Sequence, residues 1–429
     1  MRLRRPLSGF MAALAFSACL SASSAADKKA WITIGDAAFR QVRPLLPGVV
    51  PAESRQLGGG GQKIHAVSVP ENELETIAGA LHQRLRQCGG FVFHNTEAEA
   101  RAALHPMPAT SASLTYAIDH RELVVPVLAQ MSDKQIETTI LKLSGFTNRY
   151  YKSSSGVDAS NWLFATWSEM ARGRADIAVK QITHTGFPQQ SVMLSIAGSE
   201  KPDESIVLGA HLDSILVSRM SDTAPAPGAD DDASGVASLT EALRAMLEGQ
   251  YKPKRSIHFV AYAAEEVGLR GSQDIARSFR QAHSKMVGVL QLDMTNYKGA
   301  ANDIYLFTDY TDSKQNAFLA QLVSTYLPDL KVGYDQCGYA CSDHASWQAQ
   351  GYPTSMPFES SFARDNPAIH TAKDTFANSG GQALHALKFA RLAAAFAIEL
   401  GSAETSAENG GLRKQKARRV STRRALLNN

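Results

Sequence analysis

After its first 26 residues the sequence has no apolar run long enough to cross a bilayer, so we expect no membrane-spanning helix. It also lacks an internal repeat, which excludes a solenoid or a propeller. No G-x-S-x-G motif is present for a serine nucleophile, and the glycines at 58–61 lack the Lys-Ser/Thr of a phosphate-binding loop. With 44% hydrophobic and 20% charged residues, the chain is nevertheless typical of a folded globular protein.

Cysteine is scarce, with four in 429 residues. Cys19 falls in the amino-terminal leader, and Cys88 stands alone. Cys337 and Cys341 lie four apart in "CGYAC", and an exported chain favours a disulfide between them. The alternative is a thiolate metal pair, but the sequence lacks the second pair that would complete a structural zinc site.

The leader, residues 1–26, is typical of a secretory signal peptide. "MRLRR" is basic, "LSGFMAALAFSACL" is apolar, and "SASSAA" offers small residues for cleavage near Ala26. We therefore expect a secreted protein, extracellular or periplasmic. A lipoprotein site at Cys19 in "FSAC" is an alternative that Phe16 suits poorly.

Charge is uneven along the chain. Residues 404–429 carry seven Lys/Arg and two Glu and the leader adds three Arg, so a net charge of +3 leaves the residues between them at about −5. This acidic body gives no indication of nucleic-acid binding. The basic tail is predicted to be disordered and removable, with attachment to an acidic cell surface as the alternative.

Two segments lie between leader and tail. Residues 27–118 contain the helical pattern "ENELETIAGALHQRLRQ" but no convincing chemistry, and they are interpreted as a pro-segment or a small accessory domain. Residues 119–403 alternate strands and helices. This alternation predicts an α/β domain whose mixed, largely parallel central β-sheet is sandwiched between α-helices.

Polar side chains follow three of the predicted strands. "SIVLGA" leads to His211, "SIHFVAYA" to Glu265 and Glu266, and "MVGVLQL" to Asp293, while Asp230–Asp232 in "APGADDDASG" open the next helix. Taken singly, each could be a helix cap or a solvated residue. Together at one sheet edge, the carboxylates would repel one another unless cations neutralise them. Imidazole and carboxylate groups suit zinc, and a carboxylate can bridge two ions.

The motifs "GAHLDS", "APGADDDASG", "AYAAEEVGLRGS", "LQLDM" and "NPAIHTAKDT" closely resemble those of the zinc-dependent aminopeptidases of peptidase family M28, of the bacterial leucyl type. The resemblance runs from about 119 to 403 and includes "SGFTNRYY", "CGYACSDHASW" and "MPFESSF". It implies a zinc-peptidase-like fold that binds two Zn²⁺ per chain. The implied ligands are His211 and Asp293 for one ion, Glu266 and His370 for the other, and Asp231 as the bridge.

The resemblance implies further roles near these ligands. Glu265 would be the general base that takes a proton from a metal-bound water. Independently of the resemblance, the position of Asp213 in "HLD" indicates that it orients His211, with a turn aspartate as the alternative, and Asp232 at the helix start would face the helix dipole or support a ligand. Asp230 is interpreted as a turn residue only.

By the same resemblance, an apolar pocket would receive the first side chain of a peptide or protein substrate and favour Leu, Phe or Met. Its implied lining is Met294, Phe307, Tyr339, Phe358, Phe362 and Ile369. Asp365 stands where an aromatic residue is expected, which weakens strict leucine preference. A Cys337–Cys341 disulfide would brace the pocket wall. Neither His344 nor the pair Ser342 and Asp343 matches a ligand or nucleophile position, so these are interpreted as structural.

Three alternatives to a monomeric aminopeptidase remain open. A glutaminyl cyclase on this fold would use one zinc, whereas both ligand sets are complete here. A carboxypeptidase would need a cation for the substrate carboxylate, for which Arg364 is unconvincing. A non-catalytic binding protein would be expected to have lost Glu265 or a ligand.

Overall fold

The computed structural model describes residues 28–56, 63–86, 88–105, 107–108 and 114–403. The predicted signal peptide, the four-glycine run and the basic tail lie outside these residues. Within them, no helix combines the length and the apolarity needed to cross a bilayer.

A six-stranded mixed sheet forms the centre of the chain and confirms the predicted fold class. From edge to edge its strands are β12 (Thr354–Ser355), β9 (Lys285–Gln291), β7 (Lys201–His211), β8 (Arg255–Tyr262), β6 (Ser191–Ile196) and β5 (Ile177–Ile182). The first four are parallel, whereas β6 and β5 run antiparallel to their neighbours. Because β7, β8 and β9 are parallel neighbours, their carboxyl ends meet at one edge.

Helices cover both faces of this sheet. They are α4 (Arg121–Ala129), α5 (Asp133–Ser144), α6 (Ser154–Met170), α7 (Ala233–Glu248), α8 (Arg270–Gln281), α9 (Ser313–Tyr326), α10 (His344–Ala349) and α11 (Leu384–Ser402). On one face, Leu239 of α7 and Phe389 of α11 are buried in the same core as Phe259 of β8. On the other face, Ile275 of α8 and Trp347 of α10 belong to a second core. The strands are therefore apolar on both sides, as buried parallel strands require.

Helix α5 begins with a side-chain cap at Ser132. The Ser132 hydroxyl accepts a hydrogen bond from the Lys134 N–H at 3.2 Å, which satisfies one of the free donors of the first turn.

A small sheet stands apart from the central one. It consists of β11 (Val332–Asp335), β10 (Ile304–Phe307) and β13 (Pro357–Phe358). Strand β10 is its central member. The predicted disulfide between Cys337 and Cys341 is present directly after β11, with the two Cα atoms 6.2 Å apart.

The amino-terminal residues form a separate antiparallel sheet with its own helices. In sheet order, the strands are β2 (Glu53–Gln56), β3 (Lys63–Pro70), β1 (Lys29–Gly35) and β4 (Phe91–His94). The helices are α1 (Asp36–Val42), α2 (Leu74–Leu85) and α3 (Glu97–Ala103). Ile32, Val67, Ile77 and Leu81 are fully buried in a core that this segment builds by itself. We call residues 28–105 the N-terminal domain.

Arg149, in "SGFTNRYY", fixes the long connection between β7 and α7. Its guanidinium is fully buried and donates to the carbonyl oxygens of Leu212 at 2.7 Å, Pro227 at 2.6 Å and Gly228 at 2.8 Å. One side chain therefore ties the end of β7 to the loop that carries Asp230–Asp232.

We expect Arg149→Met to lower the free energy of unfolding by about 3 kcal/mol, because three buried carbonyl groups lose a charged donor. The midpoint of urea unfolding, followed by tryptophan fluorescence, measures this change. Arg172→Met is the control: Arg172 is exposed and pairs with Glu169, and its loss should cost less than about 1 kcal/mol. Equal shifts for the two variants would contradict the prediction.

Candidate metal centre

The carboxyl ends of β7, β8 and β9 bring together polar side chains that are distant in sequence. His211 is the last residue of β7, Glu265 and Glu266 follow β8, and Asp293 follows β9. All four side chains are buried. The sheet topology thus delivers a histidine and three carboxylates to one edge, as the sequence predicts.

Asp231 lies at the middle of this group. Its Oδ1 is 2.9 Å from His211 Nε2, and its Oδ2 is 2.9 Å from His370 Nε2. Asp293 Oδ1 is 3.5 Å from His211 Nε2, and Glu266 Oε2 is 2.7 Å from His370 Nε2. The five predicted ligands therefore form two histidine–carboxylate sets that share Asp231.

Unpaired buried atoms indicate that this group fits metal ions. His370 Nε2, Asp231 Oδ2 and both carboxylate oxygens of Glu266 have no hydrogen-bond partner among the described residues, since the short contacts of His370 lack hydrogen-bond geometry. Leaving such atoms without a partner is unfavourable. In the other set, His211, Asp231 and Asp293 offer ligand atoms within 4.8 Å of one another. These are ligand types and spacings that a divalent cation such as zinc accepts.

The two histidines and the carboxylates stabilise each other's charged forms. Burial opposes the imidazolium of His211, but Asp293, Asp213 and Asp231 outweigh it and raise the pKa of His211 well above its usual value. For Asp231, burial is outweighed by His370 and His211, so its pKa lies well below the usual range. In Glu266 burial prevails over His370 and raises the pKa to about 7. Asp231 is thus the carboxylate with the strongest preference for negative charge.

Glu265 lies beside the two sets without belonging to either. Its backbone N–H donates to Asp213 Oδ1 at 2.9 Å, while its own Oε2 has no hydrogen-bond partner among the described residues. Burial raises the pKa of Glu265 well above the usual range, and the neighbouring Glu266 adds to the effect. A buried carboxylate whose basicity is increased in this way fits a role in proton transfer.

Asp213 contacts both His211 and the loop after β8. Its carboxylate accepts the N–H groups of Glu265 at 2.9 Å and Glu266 at 3.2 Å. The imidazole Nδ1 of His211 lies 3.1 Å from the Asp213 carbonyl oxygen and 3.6 Å from the carboxylate. The main-chain oxygen is the closer partner, because the carboxylate turns toward the loop after β8.

Asp232, at the start of α7, connects α7 to the ends of β7 and β9. Its Oδ1 accepts the N–H groups of Gly235 at 2.9 Å and Met294 at 3.1 Å, and its Oδ2 accepts that of His211 at 3.0 Å. The peptide bond between Asp231 and Asp232 is cis. Asp232 therefore caps the helix and holds the ends of β7 and β9 beside it.

The interpretation of Asp230 as a turn residue only is wrong. Its side chain is fully buried and accepts the Asn296 N–H at 3.1 Å and the Asn366 side-chain amide at 2.9 Å. Glu359 is a further buried neighbour, and burial together with Asp230 raises the pKa of Glu359 well above its usual range. The hydrogen bonds from Asn296 and Asn366 hold the Asp230 side chain in the interior. Both partners are distant in sequence, so no local pattern indicates them.

Sequence reasoning missed Asp374. Its Oδ1 accepts the N–H of Asp230 and its Oδ2 that of Asp231, each at 3.1 Å. Asp374 thus fixes the backbone of the bridging aspartate. Its position four residues after His370 in "NPAIHTAKDT" is the signal that could have identified it.

The six predicted pocket residues share one apolar cluster beside the ligands, together with Cys337 and Cys341. The rings of Phe307 and Phe358 lie 4.7 Å apart, centroid to centroid. Asp365 pairs with Arg86 of the N-terminal domain at 3.5 Å. The rim of the pocket is therefore charged, as the sequence suggests for this position.

Residues 27–118 bring two side chains close to the predicted ligands. His82 Nδ1 lies 2.9 Å from His370 Nδ1, and Cys88 offers a ligand atom within 4.8 Å of Asp231 and His370. No sequence pattern indicates this, because a lone histidine or cysteine is most often structural. Only docking of the N-terminal domain brings both side chains to the ligands.

The remaining polar candidates, His344, Ser342 and Asp343, are buried. His344 is buried at the first residue of α10, and burial lowers its pKa to about 3, so its imidazole is neutral. The Ser342 hydroxyl has no hydrogen-bond partner among the described residues, so Asp343 does not activate it.

We expect Asp232→Ala to lower the free energy of unfolding by about 3 kcal/mol, because three buried N–H groups lose their acceptor. Asp312→Ala is the matched control. Asp312 caps α9 by accepting the Gln315 N–H at 2.9 Å, and its loss should cost about 1 kcal/mol. Urea unfolding of both variants gives the comparison, and a smaller effect at Asp232 than at Asp312 would count against its connecting role.

Comparisons with known proteins agree with this geometry. Residues 191–395 match the family model described as Peptidase family M28. Leucine aminopeptidase 1 of Coccidioides posadasii is 36% identical over 301 residues, which cover 67% of this chain and 76% of the relative. Two solved structures from Legionella pneumophila are similar as well. The LapA aminopeptidase has a TM-score of 0.74 at 32% identity, covering 88% of this chain and 99% of its own. LapB has a TM-score of 0.72 at 30% identity, covering 87% and 99%.

Proposed function

The chain belongs to peptidase family M28 and is a metallo-aminopeptidase, and from that premise we propose that it is a secreted enzyme with two Zn²⁺ per chain. Its substrates would be peptides and proteins, from which it removes large hydrophobic N-terminal residues such as Leu. The observation that carries the proposal is the position of Asp231 between His211 and His370, at 2.9 Å from each. A carboxylate shared by two ligand sets is the arrangement that a two-metal hydrolase uses.

The residues that would hold the ions are the five of the two sets. His211 and Asp293 would bind one zinc, Glu266 and His370 the other, and Asp231 both. When bound, zinc supplies Lewis acidity, which lowers the pKa of water and polarises the carbonyl of the scissile bond. Asp213, Asp232 and Asp374 would position these ligands through the backbone N–H groups that their carboxylates accept.

Glu265 would carry the protons of the reaction. It would accept one from the attacking water and deliver it to the amine of the leaving peptide, so that the leaving group departs neutral. Its burial supports this role, because burial raises the pKa of the Glu265 carboxyl group and so makes the carboxylate a stronger base.

The apolar cluster around Phe307 and Phe358 supports a preference for large hydrophobic N-terminal residues. Asp365 at the rim pairs with Arg86 of the N-terminal domain. Removal of that domain would leave the Asp365 carboxylate available to a positively charged group. Strict selection of Leu is therefore not part of the proposal.

Secretion and maturation complete the proposal. The leader at 1–26 would direct export, and the Cys337–Cys341 disulfide is consistent with an oxidising compartment. Residues 27–118 would act as a pro-segment, because the N-terminal domain covers His370 with His82.

In the mature enzyme, freed of residues 27–118, removal of metal should abolish hydrolysis of leucine p-nitroanilide, and addition of zinc should restore it. The physical reason is that the buried carboxylates and imidazoles cannot replace the Lewis acid. Metal analysis should give two zinc ions per chain before chelation. Activity that survives complete chelation would contradict the metal assignment.

Glu265→Gln should lower kcat by about 10²–10⁴-fold, because the amide cannot accept the proton, while zinc content stays at two per chain. Kinetics and metal analysis of the same preparation test this. The control is Glu248→Gln at the exposed end of α7, where Glu248 pairs with Arg244 only. It should keep full activity. A fully active Glu265→Gln enzyme would rule out the general base.

Asp231→Ala should lose metal as well as activity, because both sets share this carboxylate. Metal content separates it from Glu265→Gln, which loses turnover alone. An Asp231→Ala protein that retains two zinc ions per chain would contradict the bridging role.

A further inference from the structure

The turn after α2 points into the metal centre. Helix α2 ends at Leu85, and the residue that caps it, Arg86, has a left-handed backbone with φ 55°. The chain then reverses through Gly89 and Gly90, which also have positive φ. Cys88 lies in this turn, and its N–H donates to the hydroxyl of Tyr339 at 2.8 Å. A Cβ on Gly89 would stand 3.5 Å from the carbonyl oxygen of Glu266, so the turn rests directly on the loop of a predicted ligand.

The rest of the N-terminal domain holds this turn in place. The Arg270 guanidinium lies 4.1 Å above the ring of Phe93, and the Gln273 amide donates to the Phe93 carbonyl oxygen at 2.7 Å. The Phe93 N–H in turn donates to the Gly268 carbonyl oxygen at 3.0 Å. These contacts are made by the chain directly after Glu266, so the position of Cys88 is fixed relative to the metal ligands.

The sulfur of Cys88 takes part in a cluster of ligand atoms. Cys88 Sγ, one carboxylate oxygen of Asp231 and one ring nitrogen of His370 all lie within 4.8 Å of one another. Thiolate, carboxylate and imidazole are all zinc ligands. A cysteine that only packs in the core would not need to lie close to both a carboxylate and an imidazole.

Independent evidence for a ligand at this point comes from its buried neighbours. His370 Nε2, Asp231 Oδ2, Glu266 Oε1 and Glu266 Oε2 are buried and have no hydrogen-bond partner among the described residues. The three side chains are 1–3% exposed. They face the region that Cys88 borders, and a cation there would satisfy them together with the thiolate.

We propose that Cys88 is a metal ligand that the N-terminal domain contributes to the ion held by Asp231, Glu266 and His370. The proposal rests on the proposed two-metal function. On coordination the thiol would release its proton to solvent, and no oxidation or reduction is involved. Catalytic zinc needs one position free for water or substrate, and Cys88 would fill it. The intact chain would therefore be latent, and departure of the N-terminal domain would open the position.

Cobalt substitution of the intact chain tests the ligand directly. With both ions replaced by Co²⁺, the protein should show a sulfur-to-cobalt charge-transfer band in the near-ultraviolet. Cys88→Ser should lose this band while still binding cobalt, with roughly tenfold weaker affinity at one of the two positions.

Alkylation provides a second readout that needs no variant. Iodoacetamide should modify Cys88 of the wild-type intact chain roughly tenfold more slowly with zinc bound than after chelation, because coordination removes the free thiolate. Mass spectrometry of the peptide that contains Cys88 measures the rate. This measurement decides the question even if Cys88→Ser fails to fold.

The outcomes separate this inference from the proposed function. Two cobalt ions per chain without a charge-transfer band, or a band that persists in Cys88→Ser, would overturn the role of Cys88 and leave the two-metal enzyme intact. Equal alkylation rates with and without zinc would overturn it as well. An intact chain that binds no divalent metal would overturn both.

Discussion

Burial of several negative charges at one edge of the sheet is the constraint on which the rest of the structure depends. Asp231, Glu266 and Asp293 are removed from water where like charges repel, so each needs a compensating partner. His211 and His370 supply part of the compensation, and unpaired atoms on Glu266 and Asp231 show that it is incomplete. A pair of divalent cations is the simplest way to complete it.

Much of the surrounding structure serves to hold these charges in position. Arg149 clamps the loop of the three aspartates from one side, and Asp374 accepts its N–H groups from the other. Non-glycine residues with positive φ cluster in the same region: Ala264 precedes Glu265, Met294 follows Asp293, and His370 itself has φ 57°. Such conformations are unfavourable by about 1–3 kcal/mol each and persist where the surroundings impose them. Stability elsewhere in the domain therefore supports a site that is locally strained.

The N-terminal domain shares this dependence. It docks on Gly268, Arg270 and Gln273, which follow directly after the two glutamates that end the β8 loop. The N-terminal domain therefore contacts the same loop that carries Glu265 and Glu266. The short segment after Glu266 consequently does two things: it holds Glu265 and Glu266 in position, and it binds the domain that covers them.

The sequence by itself determined the α/β fold, three parallel strands of the central sheet, the disulfide and the polar residues that follow those strands. Hydrophobic patterns and parallel-strand geometry suffice for the fold and the polar residues, because they act locally or follow from topology, and the spacing of the two cysteines suffices for the disulfide. Only the tertiary structure decided that the Asp213 carboxylate accepts backbone N–H groups and that Asp230 is buried. It alone brought Cys88 to His370. Those contacts join residues from separate elements, and no local pattern encodes how one domain docks on another.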